Sequence, residues 1–250
     1  MKRKQPTYNT YRCKGINNAI ALLDSDRFQI VEVCIARLSA ASKNKMVNQM
    51  ISGCKVNYMD KDQFYKKYPD KKSQGISIKF SGQLTYNALP NFEDSNDVCL
   101  LALDQISDPQ NFGQIIRTSE CAGIDGIILP ERRSVSITSS VLQVSQGSFC
   151  NINIIKSKNI KYTIKELKQN GYWIVGIENS IESKLWYDFN LKGKIGFVFG
   201  SEGEGIRPVI QKYCDLMLTI PMNGKINSLN ISATVSAMLF ERNRQILKSK

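Results

Sequence analysis

Three polar, glycine-bearing segments hold the residues of this 250-residue chain best suited to chemistry, and each follows an apolar run. The first, DQISDPQNFGQIIRTSECAG (104–123), carries Asn111, Gly113 and Arg117. The second, GSEGEGIRP (200–208), carries Gly200, Glu202, Gly203 and Gly205. The third, PMNGKINSLNIS (221–232), follows Ile220 and carries Met222, Ser228, Leu229 and Asn230. Glycine lets backbone approach a ligand closely, and arginine offers a fixed fork of donors for phosphate or developing negative charge. Each segment also has a plain explanation. The glycines fit a tight turn and lack dinucleotide spacing; Asn111-Phe112-Gly113 fits a helix start with Arg117 exposed; Ser228 and Asn230 fit a helix cap. Their occurrence together, in order, favours a site. Histidine is absent, which removes Ser-His-Asp and Cys-His catalysis and His-based metal binding. The seven cysteines are scattered without a CxxC pair, so neither a disulfide framework nor a zinc site is expected.

The elements that must position these segments read as alternating strands and helices from Val98 onward. Apolar runs at 98–103, 126–130, 152–155, 172–177, 195–200 and 216–221 are separated by helical stretches at Gln114–Ala122, Ile160–Gln169 and Ile206–Tyr213. Near-continuous apolar strands between helices predict an α/β fold, a mostly parallel sheet covered on both faces. Ligands of such sheets bind beyond the strands' carboxyl ends, where all three segments fall. Ile231, Val235, Met238, Leu239 and Ile246 form a stripe on a last helix that packs on the sheet or on a second subunit. The first third reads as a small α/β unit: a helix over 16–23, a strand over 30–35, a helix over 43–51, and strands near Val56 and over 76–80. The expected division is a flexible basic arm (1–14), the small α/β unit (15–84), a linker (85–97) and the larger α/β domain (98–250).

Charge divides along the same line. Residues 1–90 hold 16 basic and 6 acidic side chains, a net +10 of the chain's +12, which points the first third at a polyanion. A lysine-rich composition alone accounts for part of this. No apolar run reaches the length of a membrane span, and the basic start lacks the apolar stretch of a secretory signal, so a cytoplasmic location and no membrane partner are expected.

The motifs resemble those of the SpoU-type branch of the SPOUT RNA methyltransferases. An Asn-x-Gly followed by Arg matches Asn111, Gly113 and Arg117; a Gly-x-Glu-Gly-x-Gly turn matches Gly200, Glu202, Gly203 and Gly205. Ile-Pro-Met … Ser-Leu-Asn leading into a last helix matches Ile220, Pro221, Met222, Ser228, Leu229 and Asn230. GINNAIALL resembles the opening helix of the ribosomal-protein-like RNA-binding domain that precedes the methyltransferase in some members, those acting on large-subunit ribosomal RNA. The chain departs from the usual pattern at Gln110, Phe112 and Gln146.

The resemblance implies a deep trefoil knot and S-adenosylmethionine-dependent 2′-O-methylation of a ribose, most closely a guanosine of large-subunit ribosomal RNA. It implies no metal, an RNA partner and a homodimer formed through the methyltransferase domain. Gly200, Gly203, Ile220, Met222 and Leu229 would hold the cofactor. Arg117 would be catalytic, read as gripping a phosphate and stabilising alkoxide charge, since guanidinium is not deprotonated in proteins. Asn111, Glu202, Ser228 and Asn230 would orient the ribose and Arg117, with Glu202 a candidate proton acceptor. A transfer-RNA or other ribosomal-RNA target is the alternative within the family, and a non-catalytic RNA-binding or ribosome-assembly protein the alternative outside it.

Overall fold

The computed structural model describes residues 9–90, 97–179, 184–201 and 203–248. The chain forms two compact units, Met1–Leu84 with Ile137–Asn151, and Thr85–Ser136 with Ile152–Lys250.

The first unit is built on a four-stranded sheet. Its elements are β1 (Thr10–Lys14), α1 (Ile16–Asp24), β2 (Phe28–Ala36), α2 (Ala40–Lys43), α3 (Lys45–Met50), β3 (Val56–Met59), α4 (Lys61–Lys67) and β4 (Ile76–Gly82). The strand order is β1-β4-β2-β3, antiparallel except for the β2–β3 pair. Residues 10–14 thus correct the expected arm, whose first eight residues lie outside the described ones. Cys13 is buried while Arg12 and Lys14 on either side are part-exposed, as successive residues of a strand face opposite ways. The helix expected over 43–51 is broken at Asn44, whose side chain accepts from Val47 N at 3.0 Å and caps α3.

Residues 137–151 join this unit although the sequence places them inside the larger domain. Phe149 packs with Phe28 and Phe80, ring centroids 5.7 Å from each. Gln143 pairs with the backbone of Lys14 in both directions, at 3.1 and 2.8 Å. Arg27 donates to Cys150 O at 2.8 Å. Aromatic packing plus satisfied backbone groups holds the segment there.

The second unit contains β5 (Cys99–Leu103), α5 (Pro109–Cys121) and β6 (Gly126–Pro130). After α6 (Ser139–Val144), which belongs to the first unit, follow β7 (Asn153–Ser157), α7 (Ile160–Gln169), β8 (Trp173–Ile177), β9 (Lys184–Leu185), β10 (Ile195–Phe199), α8 (Pro208–Gln211), β11 (Leu216–Thr219) and α9 (Ile231–Leu247). Seven strands in the order β7-β6-β5-β10-β8-β11-β9 pair in parallel throughout. Every residue of β5 and β10 is buried, because helices cover both faces. Within the linker expected over 85–97, Tyr86 hydrogen-bonds Ile154 O and Lys156 N at the edge of this sheet, and 91–96 lie outside the described residues.

Helix α5 begins at Pro109, five residues before the expected start. Asp108 accepts from the backbone N–H of Gln110 and Asn111, and Pro109 occupies a position whose N–H would go unused. On α9, Ile231, Val235, Met238 and Leu239 are buried as the stripe predicts. The helix expected over 206–213 shortens to α8, because Arg207 is its N-terminal boundary and gives its backbone N–H to Asp104.

Candidate active site

The strand order puts the carboxyl ends of β8, β10 and β11 side by side. There the backbone opens into a cleft of about 670 Å³ lined by Gly200, Gly203, Ile220, Met222, Ser228, Leu229 and Asn230, all foreseen from the sequence. Glu202 lies outside the described residues. Asn111 and Arg117 do not line the cleft.

One wall is the loop after β10. Ser201 and Gly205 exchange backbone hydrogen bonds of 3.1 Å in both directions, closing a tight turn. Gly203 and Gly205 take φ of +92° and +68°, where side chains are strained. A Cβ on Gly200 would stand 1.9 Å from the carbonyl carbon of Gly205. Gly200 is therefore small because the chain folds back on itself, and not only because a ligand must approach. The far end of the loop is anchored by Arg207, whose Nε lies 2.9 Å and Nη2 2.6 Å from the carboxylate oxygens of Asp104 at the end of β5. Asp104 is fully buried at its side chain, so the pair fixes the loop across two strands.

The opposite wall is the segment between β11 and α9. Leu229 is 45% exposed and Ile226 77% exposed, apolar surface left to water. Asn230 ends the segment with two roles. Its Oδ1 accepts from Ser232 N at 2.9 Å and caps α9; its Nδ2 donates to Asn111 Oδ1 at 3.0 Å. Asn230 thus caps the helix and also lines the cleft. Asn111, on the opening turn of α5, reaches the cleft lining through its hydrogen bond to Asn230. The same seam continues along the two helices, where Ser232 Oγ lies 3.2 Å from Gln114 Oε1 and Thr118 shares a 3.2 Å hydrogen bond with Ser236. Asn111, Gln114 and Thr118 are spaced to face one partner helix.

Arg117 stands apart. Six residues beyond Asn111 is about one and two-thirds turns, which takes it off the seam. Its side chain is exposed and makes no hydrogen bond or ion pair among the described residues.

Among the cleft residues missed by sequence reasoning are Glu178 and Asn179 at the carboxyl end of β8. Glu178 accepts from Gln211 Nε2 at 2.5 Å, and the same nitrogen donates to Ile206 O at 2.9 Å. Burial holds the Glu178 carboxyl above the ordinary carboxylate range, against the opposing effect of that hydrogen bond. Asn179 donates to Asn227 O, and its Oδ1 accepts from Thr219 Oγ1 at 3.3 Å. One dipeptide therefore touches both walls. The signal was their position after the apolar run YWIVGI, the same rule that selected the other segments. Three thiols offer no rival chemistry: burial pushes Cys99, Cys150 and Cys214 up to about 12.

Comparison with known proteins places this geometry. Residues 99–240 match the SpoU rRNA Methylase family. A Staphylococcus saprophyticus protein named for the TrmH family of tRNA/rRNA methyltransferases is 34% identical over 209 residues, 82% of this chain and 80% of that one. The 23S rRNA (guanosine-2′-O-)-methyltransferase RlmB of Xylella fastidiosa is 29% identical over 240 residues, 92% of this chain and 95% of its own. The fold matches an AdoMet-bound rRNA methyltransferase from Sinorhizobium meliloti with a TM-score of 0.78 at 22% identity, over 95% of this chain and 88% of that one. The motifs, the parallel sheet and these matches agree: the chain belongs to the SpoU rRNA methylase family and is an RNA 2′-O-ribose methyltransferase.

Proposed function

We propose that this protein uses S-adenosylmethionine to methylate a guanosine ribose in large-subunit ribosomal RNA, its unit-2 cleft holding the cofactor. The observation that carries the cofactor assignment is the convergence of the 200–205, 220–222 and 227–231 segments on one cleft at the strands' carboxyl ends. Its volume is in the roughly 300–1,000 Å³ range of small-molecule sites. Ile220, Met222 and Leu229 offer apolar walls for an adenine, and the backbone at Gly200, Ile220 and Leu229 offers polar groups beside them. When bound, the cofactor supplies a methyl group on a sulfonium.

The protein's contribution is alignment and charge. Asn230, fixed by Asn111, and Ser228 present polar groups at the cleft and would orient the ribose. Arg117, exposed and unpaired among the described residues, is free to take an RNA phosphate and to stabilise charge developing on the 2′-oxygen. Glu202 keeps its candidate role as proton acceptor, and the trefoil knot and the homodimer belong to this reading too. Phe240 at 50% exposure and Leu247 at 70% on α9 support pairing through the second unit. The net +10 of residues 1–90 supports RNA contact through the first unit.

Mapping 2′-O-methyl groups in ribosomal and transfer RNA with and without the gene tests the target. Loss at a large-subunit guanosine is expected; loss in transfer RNA would move the assignment to that class. Arg117→Ala should leave melting temperature and cofactor affinity near wild type while transfer falls by orders of magnitude, a loss of about 3 kcal/mol or more. Lysine should rescue poorly, since it lacks the planar fork. An Ala variant that turns over normally would place the catalytic group elsewhere.

A further inference from the structure

The described residues lining the cleft include two carboxylates, Glu178 and Glu204, and neither lysine nor arginine. Arg207 follows the same loop but is committed to Asp104. Glu178 is built into the wall. One oxygen is held by Gln211, and the other occupies the space a Cβ on Gly205 would need, 2.4 Å from that position. A glycine at φ +68° on one side and an amide on the other thus keep the carboxylate at the end of β8, while Glu204 is exposed.

In methyl transfer from a sulfonium, the S–C bond breaks with its electron pair left on sulfur. A C–O bond forms on the ribose and the hydroxyl proton is released. The donor therefore carries one positive charge more than the thioether that remains. A fixed carboxylate interacts with that difference, and more strongly where burial lowers the local dielectric.

Building on the cofactor reading above, we infer that Glu178 makes this cleft discriminate by charge between the cationic methyl donor and its neutral thioether product. It holds the donor and weakens its grip once the charge is gone, which favours product exchange. The raised protonation range of this carboxyl agrees with a group kept partly from water and lacking a cationic partner.

Calorimetry on the full chain with S-adenosylmethionine and S-adenosylhomocysteine, each titrated separately, tests the inference. Glu178→Gln should weaken donor binding about tenfold and change product binding less than about twofold, the scale of one partly exposed charge pair. Glu204→Gln, at an exposed position, should shift the ratio less. In the wild-type protein the donor-to-product affinity ratio should fall as salt rises, which requires no variant. Parallel losses for both ligands would make Glu178 a positioning residue of the loop. A ratio unmoved by salt would overturn the charge assignment even if the variant failed to fold. Wild-type protein that binds neither compound would overturn the cofactor reading itself, and this inference with it.

Discussion

The two walls of the cleft are built differently. The 200–207 loop is fixed from within: its turn closes on itself, its glycines adopt conformations other residues resist, and an ion pair from half-exposed Arg207 to the buried Asp104 carboxylate pins its end. The 220–230 segment is held toward its C-terminal end, by Asn179 at Asn227 and by the cap at Asn230, and it leaves Ile226 and Leu229 in water. The first wall is set before any ligand arrives. The second has apolar surface that a ligand can cover, so binding energy there also depends on how much ordering the ligand must impose. Substitutions in the first wall should therefore damage folding and binding together, and those in the second should damage binding alone.

The largest effect is expected at Gly200. Its α-hydrogen faces backbone, which has no flexible end to swing away. Gly200→Val should abolish detectable cofactor binding in calorimetry and lower the melting temperature by several degrees. A folded variant with unchanged affinity would show that the turn opens freely and that the first wall is not preorganised. Asp104→Ala comes next. It strands Arg207, but that side chain is 38% exposed and can turn to water, so the cost should be about 1–3 kcal/mol, below the range for a fully buried pair. Urea unfolding measures it. Loss of cofactor affinity without loss of stability would mean that the pair serves the site and not the loop.

How much of this was legible in the sequence varies with the physics involved. The second unit's sheet was plain because its strands are buried on both faces, and burial on both faces writes itself as unbroken apolar runs such as VCLLAL and IGFVF. The segments that line the cleft were legible because glycine and amide requirements are local. What escaped depends on distant partners. Residues 137–151 gave no sign that Phe149 would complete an aromatic cluster with Phe28 and Phe80, contacts more than a hundred residues apart from the first of these. Glu178 and Asn179 resemble any polar pair after a strand until Gln211 and Asn227 arrive beside them. Strand β1 was hidden by the basic residues around it, since Arg12 and Lys14 place their charges on the face opposite Cys13. That misplaced segment has a practical consequence for any truncation near Asp97: it would leave Phe149 and Gln143 without the partners that now satisfy them.

The smallest effect, and the most discriminating, is expected at Asn179. Its side chain is exposed, so a solvated alanine there loses little in the free protein; a hydrogen bond is worth about 0.5–1.5 kcal/mol net, and less where water replaces it. Asn179→Ala should leave the melting temperature of the ligand-free protein within about a degree of wild type, the change expected of a few tenths of a kcal/mol. The bound state differs, because the third segment must then be ordered by the ligand without its tether at Asn227. Cofactor affinity should fall about threefold to tenfold, with the loss appearing as a less favourable binding entropy. The stabilisation conferred by a fixed, saturating cofactor concentration should shrink by about 0.6–1.4 kcal/mol, the logarithm of that factor. A ligand-free melting temperature several degrees lower would contradict the contrast between the walls, since it would make the tether part of the fold. An unchanged affinity would mean that the second wall is already held by Asn230 and its bond to Asn111 alone.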